Sequence, residues 1–183
     1  MLSLQSPIVL NAEFEAMRRY MGETACRIDC TFDAHHGDKR GGLDAMRQAF
    51  DRICKEAEDG VRSGCLHVVL TDANVSAERA ALPMILAAGG VHSYLVRQSL
   101  RTFISLNVRS AEALDVHYAA VIIGVGATTV NPYLAEGTIA ARHKRGLFGK
   151  LSLGQCLANY KKALDDGLLK VMSKMGISVL SSY

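Results

Sequence analysis

Short apolar runs alternate along this chain with longer amphipathic patterns. In the clearest amphipathic pattern, apolar residues recur at steps of three and four, which places them on one stripe of a helix. They are Leu43, Met46, Phe50, Ile53, Ala57 and Val61. Residues 66–71 then form a compact apolar run that ends at Thr71 and Asp72. Such a run is typical of a buried strand in a parallel sheet.

The same alternation continues over the rest of the chain. Strands are predicted at residues 27–32, 66–71, 103–108, 127–130 and 177–180. Helices are predicted at residues 11–22, 43–64, 83–98 and 111–124, from residue 131 onward, and at 157–175. Helical crossovers of this kind join parallel strands, so the predicted fold class is α/β, a mostly parallel sheet flanked by helices. An open sheet and a partial barrel both fit, because 183 residues fall short of the ~250 of a complete barrel. We expect a single domain over residues 1–183.

Charge and composition exclude some classes of partner. Lys plus Arg exceed Asp plus Glu by 21 to 18, and the basic residues are scattered, so nucleic acid is not an expected partner. No apolar run reaches the ~18–20 residues of a membrane span, so no membrane partner is expected.

The 5 cysteines have irregular spacing, which favours reduced thiols in a cytoplasm-like compartment. A basic stretch at residues 142–150 is predicted to be a solvated helix end, with a phosphate or subunit contact as the alternative.

Polar residues stand at the predicted strand ends, where ligands gather in α/β proteins. Asp72, Asn107 and Asn131 are the main candidates, and helix capping or binding of loop amides is the alternative role. Lys170 and Lys174 lie one helical turn apart and are either a further candidate surface or a solvated helix face.

Motifs for catalysis or metal binding are weak. Cys26, Cys30, His35 and His36 could form a zinc site, but their spacing is that of no paired zinc motif, and buried thiols beside a solvated His pair are the alternative. His67 and His92 have apolar neighbours, which favours hydrogen-bonded core or interface histidines over a general base. We therefore assign no catalytic, cofactor-binding or metal-binding residue.

Five segments together resemble one known family. In chain order they are SPIVLNAEF, IDCTF, LPMILAAGGVHSYLVRQSLRT, HYAAVIIGVGATTVNPYLA and NYKKALDDGLLKVMSKMGIS. They are similar to the central domain of the large, glutamine-dependent glutamate synthases, and the last segment is the most specific match. In VLTDANVS, residues 69–76, this chain has Ala73 and Asn74 where the family commonly has Arg and Gly.

The resemblance implies an oxidoreductase that converts glutamine and 2-oxoglutarate into two glutamates. Such an enzyme releases ammonia at an N-terminal cysteine, passes it through an internal tunnel and uses it at FMN. An iron-sulfur cluster supplies electrons from a nicotinamide cofactor, an electron-donor subunit or ferredoxin. The resemblance also implies that the amidotransferase and flavin domains are absent from this chain, that it binds no cofactor itself, and that the location is the cytoplasm or a plastid stroma.

The role implied for this chain is that of a connector between the amidotransferase and FMN domains. It would keep two distant sites in register and shield ammonia, which protonates and escapes in water. The candidates for the tunnel or interdomain surface are Asp72, Asn107, Asn131, Lys170 and Lys174. The alternative is a stand-alone α/β module that binds a small anionic metabolite through strand-end amides and the basic stretch at residues 142–150.

Overall fold

The computed structural model describes residues 4–34 and 39–183. Its helices are α1 Asn11–Met21, α2 Lys39–Arg62, α3 Met84–Arg97, α4 Val116–Gly124, α5 Tyr133–Lys144 and α6 Leu153–Met175. Its strands are β1 Ala25–Asp29, β2 Thr31–Asp33, β3 His67–Thr71, β4 Arg79–Ala81, β5 Ser105–Arg109 and β6 Thr129–Asn131.

The main sheet has four strands in the order β1-β3-β5-β6, and every neighbouring pair is parallel. The predicted α/β class and mostly parallel sheet are confirmed. Each strand lies beside the one before it, without the reversal of order that marks a doubly wound sheet. Right-handed crossovers therefore place the connecting helices on the same face. The four strands do not close on one another, since β1 and β6 lie at the two ends of the sheet.

The main core lies between this sheet and its connecting helices. Every second side chain of each strand points into this core, for example Ile28, Leu70 and Val108. They pack against buried residues of α2, α3, α4 and α6, such as Ile53 and Val91. Because successive strand residues point to opposite faces, the remaining strand residues lie on the other face of the sheet.

That other face is mostly polar, and we call it the polar face. It is formed by Arg27, Asp29, His67, Thr71, Ser105, Asn107, Arg109, Thr129 and Asn131, with Ala25 and Val69 as its apolar members. Helix α1 covers part of it, through a small cluster of Phe14, Met17 and Met21 against Val69. A parallel sheet covered by helices on both faces usually carries apolar side chains on both. The polar composition thus distinguishes this face from an ordinary core.

The first predicted strand, residues 27–32, is interrupted at Cys30. The carboxylate of Asp29 accepts hydrogen bonds from the backbone N–H and the hydroxyl of Thr31, at 2.9 and 2.8 Å. This local bonding favours a change of direction over a continuous strand. The chain then continues as β2, which pairs antiparallel with β4 in a separate two-stranded ribbon.

The strand predicted at residues 177–180 is absent from the structure. Gly176, with a φ of 71°, ends α6 in the left-handed conformation, and a short 3-10 helix follows at Leu180–Ser182. The outer edge of β6 is already occupied, because Ile8 forms a parallel bridge with Val130. The predicted strand at residues 177–180 is therefore wrong, because the segment around Ile8 occupies the free edge of β6.

Helix α4 begins later than the predicted residue 111. Asp115 precedes its first residue in an extended conformation, and its carboxylate accepts a hydrogen bond from the Tyr118 N–H at 2.9 Å. An N-cap of this kind fixes where the helix starts. Residues 110–115 consequently form the connection from β5 to α4.

Candidate functional site

A hydrogen-bonded network crosses the polar face from β3 to β6. The Nδ1 atom of His67 lies 2.7 Å from the Ser105 hydroxyl, and Asn107 Nδ2 donates to that hydroxyl at 2.9 Å. On the other side, the Thr129 hydroxyl donates to Asn107 Oδ1 at 2.8 Å. Burial lowers the pKa of His67, which favours its neutral form. The network therefore combines neutral donors and acceptors in fixed orientations.

A cavity of about 380 Å³ adjoins this network beside α1. Its polar lining includes His67, Ser105, Asn107 and Thr129, and its apolar lining includes Met17 and Met21. Asn107 itself is only 2% exposed. The structure thus places this sequence candidate at the wall of a cavity, with its amide already held by neighbouring strands.

Asp72 follows β3 and is 1% exposed. Its carboxylate accepts hydrogen bonds from the Ser110 hydroxyl at 2.9 Å and from the Ala111 backbone N–H at 2.9 and 3.0 Å. Burial raises the pKa of Asp72, while these hydrogen bonds oppose the rise. Asp72 consequently joins the loops after β3 and β5, which confirms the predicted alternative that it binds loop amides.

Asn131 ends β6 and is 1% exposed. Its Nδ2 atom donates to the Val9 carbonyl at 2.8 Å and to Asn11 Oδ1 at 3.1 Å. Its Oδ1 atom is buried and has no hydrogen-bond partner among the described residues. Asn131 thus fastens the segment before α1 to the edge of the sheet.

The two lysine candidates lie elsewhere. Lys170 and Lys174 are exposed on α6, whose buried residues Leu164, Leu168 and Met172 face inward. Helix α6 packs against α4 and α5. The structure therefore brings Asp72, Asn107 and Asn131 to the sheet and leaves both lysines on the outer helical layer.

The basic stretch at residues 142–150 lies at the end of α5. Arg142 is exposed, and the Nε2 atom of His143 lies 2.9 Å from the Leu151 carbonyl. The prediction of a helix end is confirmed for Arg142, His143 and Lys144, which form the last turn of α5.

Sequence reasoning missed several members of the polar face. Ser105, Thr129 and Arg109 were not singled out, and His67 was expected in a core or an interface. The residues of β5, SLNVR, alternate strictly between polar and apolar. That alternation is the signal of a strand with one apolar and one polar face. It could have identified Ser105 and Arg109 together with Asn107.

Metal-ligating side chains do not cluster in the part of the chain that the structure describes: no group of three His, Cys, Asp or Glu residues could hold an ion there. Cys30 is buried, and Cys26 lies beside Gly60 and Cys65. The histidines of the possible zinc site, His35 and His36, lie outside the described residues. Among the described residues, no set of cysteines and histidines groups as an iron-sulfur cluster requires.

His92 is held by Arg101, whose Nε donates to the His92 Nδ1 at 3.1 Å. Arg101 also donates to the carbonyls of Ile104 and Gly126, at 2.8 and 2.7 Å. Burial, followed by the nearby positive charge of Arg101, lowers the pKa of His92. These contacts make His92 part of a structural link between α3 and the turn before β6, as the sequence favoured.

Within the described ranges, no helix has the length and apolar character needed to span a bilayer. The fold and the polar face together define an α/β domain that is wound in one direction and has one polar sheet face. The whole chain, residues 1–183, matches the family model described as the glutamate synthase central domain. The chain belongs to this family, as its sequence segments indicated.

Known relatives are much longer than this chain. It is 61% identical over 183 residues to the glutamate synthase [NADPH] large chain of Azospirillum brasilense, which it matches over all of its own length and 12% of the relative's. It is 36% identical over 193 residues to the glutamate synthase [NADH] of Saccharomyces cerevisiae, covering 9% of that protein. The ferredoxin-dependent glutamate synthase of Pyropia yezoensis is 35% identical over 196 residues, with 12% covered. The chain thus spans about a tenth of the length of these relatives.

Proposed function

We propose that this chain acts as the central connecting domain of a glutamate synthase. In this role it holds a glutaminase site and an FMN site in register and helps to shield the ammonia that passes between them. The observation that carries the proposal is the match of the whole chain to the central domain of this family. The reaction would convert glutamine and 2-oxoglutarate into two glutamates.

The polar face supports the shielding part of this role. Ammonia that reaches bulk water is protonated and loses its nucleophilic lone pair, so a route between sites must exclude water. Asn107 and its partners Ser105 and Thr129 line the cavity with polar groups that hydrogen-bond one another. None of these three carries a titratable proton near neutral pH. The cavity beside Asn107 is a candidate stretch of the route.

The names of the relatives support a role that does not depend on the electron donor. One is named for NADPH, one for NADH and one for ferredoxin, and the chain matches all three over its entire length. A step common to these enzymes, such as ammonia transfer, suits a shared domain better than contact with one donor. Electron-donor subunits and ferredoxin would accordingly bind other segments of the enzyme.

In this proposal, the redox chemistry belongs to segments of the full-length enzyme that this chain does not match. FMN supplies the site of reductive amination when bound, and an iron-sulfur cluster supplies electrons to it, whereas no described residue set of this chain fits a cluster. We propose that this chain, which spans 12% and 9% of the length of two of its relatives, is inactive on its own. Its contribution is to position the neighbouring domains and to line the path between them.

A chimeric enzyme tests the proposal. The matching segment of the Azospirillum brasilense large chain is replaced by this chain, and glutamine hydrolysis and glutamate formation are measured in the same reaction. We expect the chimera to transfer glutamine nitrogen to 2-oxoglutarate nearly stoichiometrically. Asn107→Leu should lower the fraction transferred and release free ammonia, while glutamate formation from added ammonium is retained.

Asp51→Asn is the matched control, because Asp51 is exposed on α2 and is not a candidate for the tunnel or interdomain surface. It should leave the transferred fraction unchanged. Full nitrogen transfer in the Asn107→Leu chimera would contradict the proposed shielding. A chimera that forms no glutamate even from added ammonium would contradict the connector role itself.

A further inference from the structure

A second cavity, of about 640 Å³, opens on the other part of the polar face beside α1. It is lined by Phe14, Glu15, Arg18, Arg19, Gly22, Ala25, Arg27, Val69 and Arg109. We call it the arginine cavity, because four of its lining residues are arginines and one is a carboxylate. Its size falls within the range of small-molecule sites, about 300–1,000 Å³.

The single carboxylate of the cavity is already paired. Glu15 accepts from Arg18 Nε at 2.9 Å, one turn away on α1. The other three arginines, Arg19, Arg27 and Arg109, form no ion pair with any residue that the structure describes. The cavity thus holds three guanidinium groups without a matching negative charge.

Arg109 is the best anchored of the three. Its guanidinium lies over the ring of Tyr133, 4.6 Å from the centroid, and 5.7 Å from the ring centroid of Phe14. Its Nε atom is buried without a hydrogen-bond partner among the described residues. An arginine fixed between rings is preorganised, because little side-chain freedom remains to be lost when it binds an anion.

Arg27 and Arg109 project from the same face of the sheet. Arg27 on β1 is level with Val69 on β3, and Val69 is level with Asn107 on β5, two residues before Arg109. Strands lie about 4.8 Å apart and rise about 3.3 Å per residue, so the two Cα atoms are separated by roughly 12 Å. Two extended arginine side chains can converge across that distance on one ligand.

Guanidinium groups that line one cavity repel one another, and each can bind carboxylate or phosphate through paired hydrogen bonds. We propose that the arginine cavity binds a small oxyanion with two or more negative charges, such as a phosphate or a dicarboxylate. Phe14 and Val69 supply an apolar wall for the carbon skeleton of an organic anion. This site is independent of the ammonia route, and it differs from the basic stretch at residues 142–150.

The thermal unfolding midpoint of the 183-residue chain, followed by circular dichroism, tests the proposal. Inorganic phosphate and succinate are each compared at 10 mM with sodium chloride of equal ionic strength. A site with a Kd of about 1 mM would raise the midpoint by roughly 3–6 °C. Arg27→Gln should raise the anion concentration needed for half of the maximal shift about tenfold, because one charge-assisted contact is lost. Arg27 is exposed, so this variant retains the core.

Arg142→Gln is the control and should respond to the anions as the unmodified chain does. Equal shifts with sodium chloride, or an equal loss of response in Arg142→Gln, would overturn the proposal in favour of general charge screening. A tetraglutamate peptide is the last probe. Stabilisation by the peptide without stabilisation by phosphate or succinate would also overturn it, since the ligand would then be an acidic polypeptide segment.

Discussion

The Tyr94 hydroxyl donates a hydrogen bond of 2.6 Å to the carboxylate of Glu58, which joins α3 to α2. Glu58 is largely buried and also accepts from Arg62 at 2.8 Å and from Lys55 at 3.3 Å. The hydrogen bond from Tyr94 is the largest of the effects that lower the pKa of Glu58 to about 2, followed by that from Arg62. The contact between the two helices therefore depends on an ionised carboxylate.

The first prediction concerns acid stability. Folding lowers the pKa of Glu58 from its ordinary 4.5 to about 2, so its stabilising effect is complete above pH 4.5 and is lost as the pH falls toward 2. Tyr94→Phe should lower the urea midpoint at pH 6 and reduce the difference between pH 6 and pH 3. Tyr20→Phe is the control, since Tyr20 is 60% exposed. An unchanged acid dependence in Tyr94→Phe would show that Arg62 and Lys55 suffice.

The second prediction concerns the packing of α6 on α4. A Cβ atom at Gly167 would lie 2.4 Å from a Val116 methyl carbon. Gly167→Ala should therefore destabilise the chain by about 1–3 kcal/mol. At Gly137 on α5, no described atom beyond the adjoining helix backbone lies within 4 Å of an added Cβ, so Gly137→Ala should instead stabilise it by about 0.5–1 kcal/mol. Denaturant unfolding measures both, and changes of the same sign would contradict the close approach of the two helices.

The third prediction concerns the attachment of the segment before α1. Asn131→Ala removes the hydrogen bonds to the Val9 carbonyl and to Asn11. It should cost about 1–3 kcal/mol, because buried polar groups lose their partner. Amide hydrogen exchange should accelerate most at Val9, whose N–H donates to the Val130 carbonyl at 2.9 Å. Asn159→Ala, at an exposed position of α6, is the control. Uniform acceleration at all amides would point to global destabilisation instead.

The fourth prediction concerns thiol reactivity. Cys30 is 0% exposed, and burial raises the pKa of its thiol to about 12. At pH 8 only about one molecule in ten thousand would carry the reactive thiolate at Cys30. We expect iodoacetamide to leave Cys30 unmodified in the native chain and to label it rapidly in urea, as measured by mass spectrometry. Labelling of Cys30 at the same rate in both conditions would contradict its burial.

Local patterns predicted the fold class and most of the elements. The apolar stripe from Leu43 to Val61 lies in α2, and the apolar run at residues 66–71 contains β3. The predictions failed where a distant segment decides the outcome. Residues 177–180 have strand composition, but Ile8 occupies the edge of β6. Likewise, β4 exists because it pairs with β2, a partner that no local pattern reveals.

The strand-end rule selected Asp72, Asn107 and Asn131, and all three are buried in the structure. Asn107 lies in the middle of β5, not at its end. A role of these residues at a tunnel or interdomain surface stays a prediction. Alternate residues of a strand point to the same face of the sheet, which places Asn107 together with Ser105 and Arg109. The strand-end rule does not use this alternation. The convergence of Arg19 from α1 with Arg27 and Arg109 depends on how α1 crosses the sheet. Sequence alone does not determine that crossing.

The bridge between Ile8 and Val130 also bears on how the chain acquires its structure. Asn131 and Val9, which bond at this edge, are 122 positions apart in sequence. Contacts so distant along the chain slow folding, because a long loop must close before they form. During synthesis at about 5–20 residues per second, the segment at residues 7–9 waits several seconds for its strand partner to leave the ribosome. Until β6 has formed, residues 7–9 have no strand edge to bridge, so the nascent chain must keep this segment unpaired.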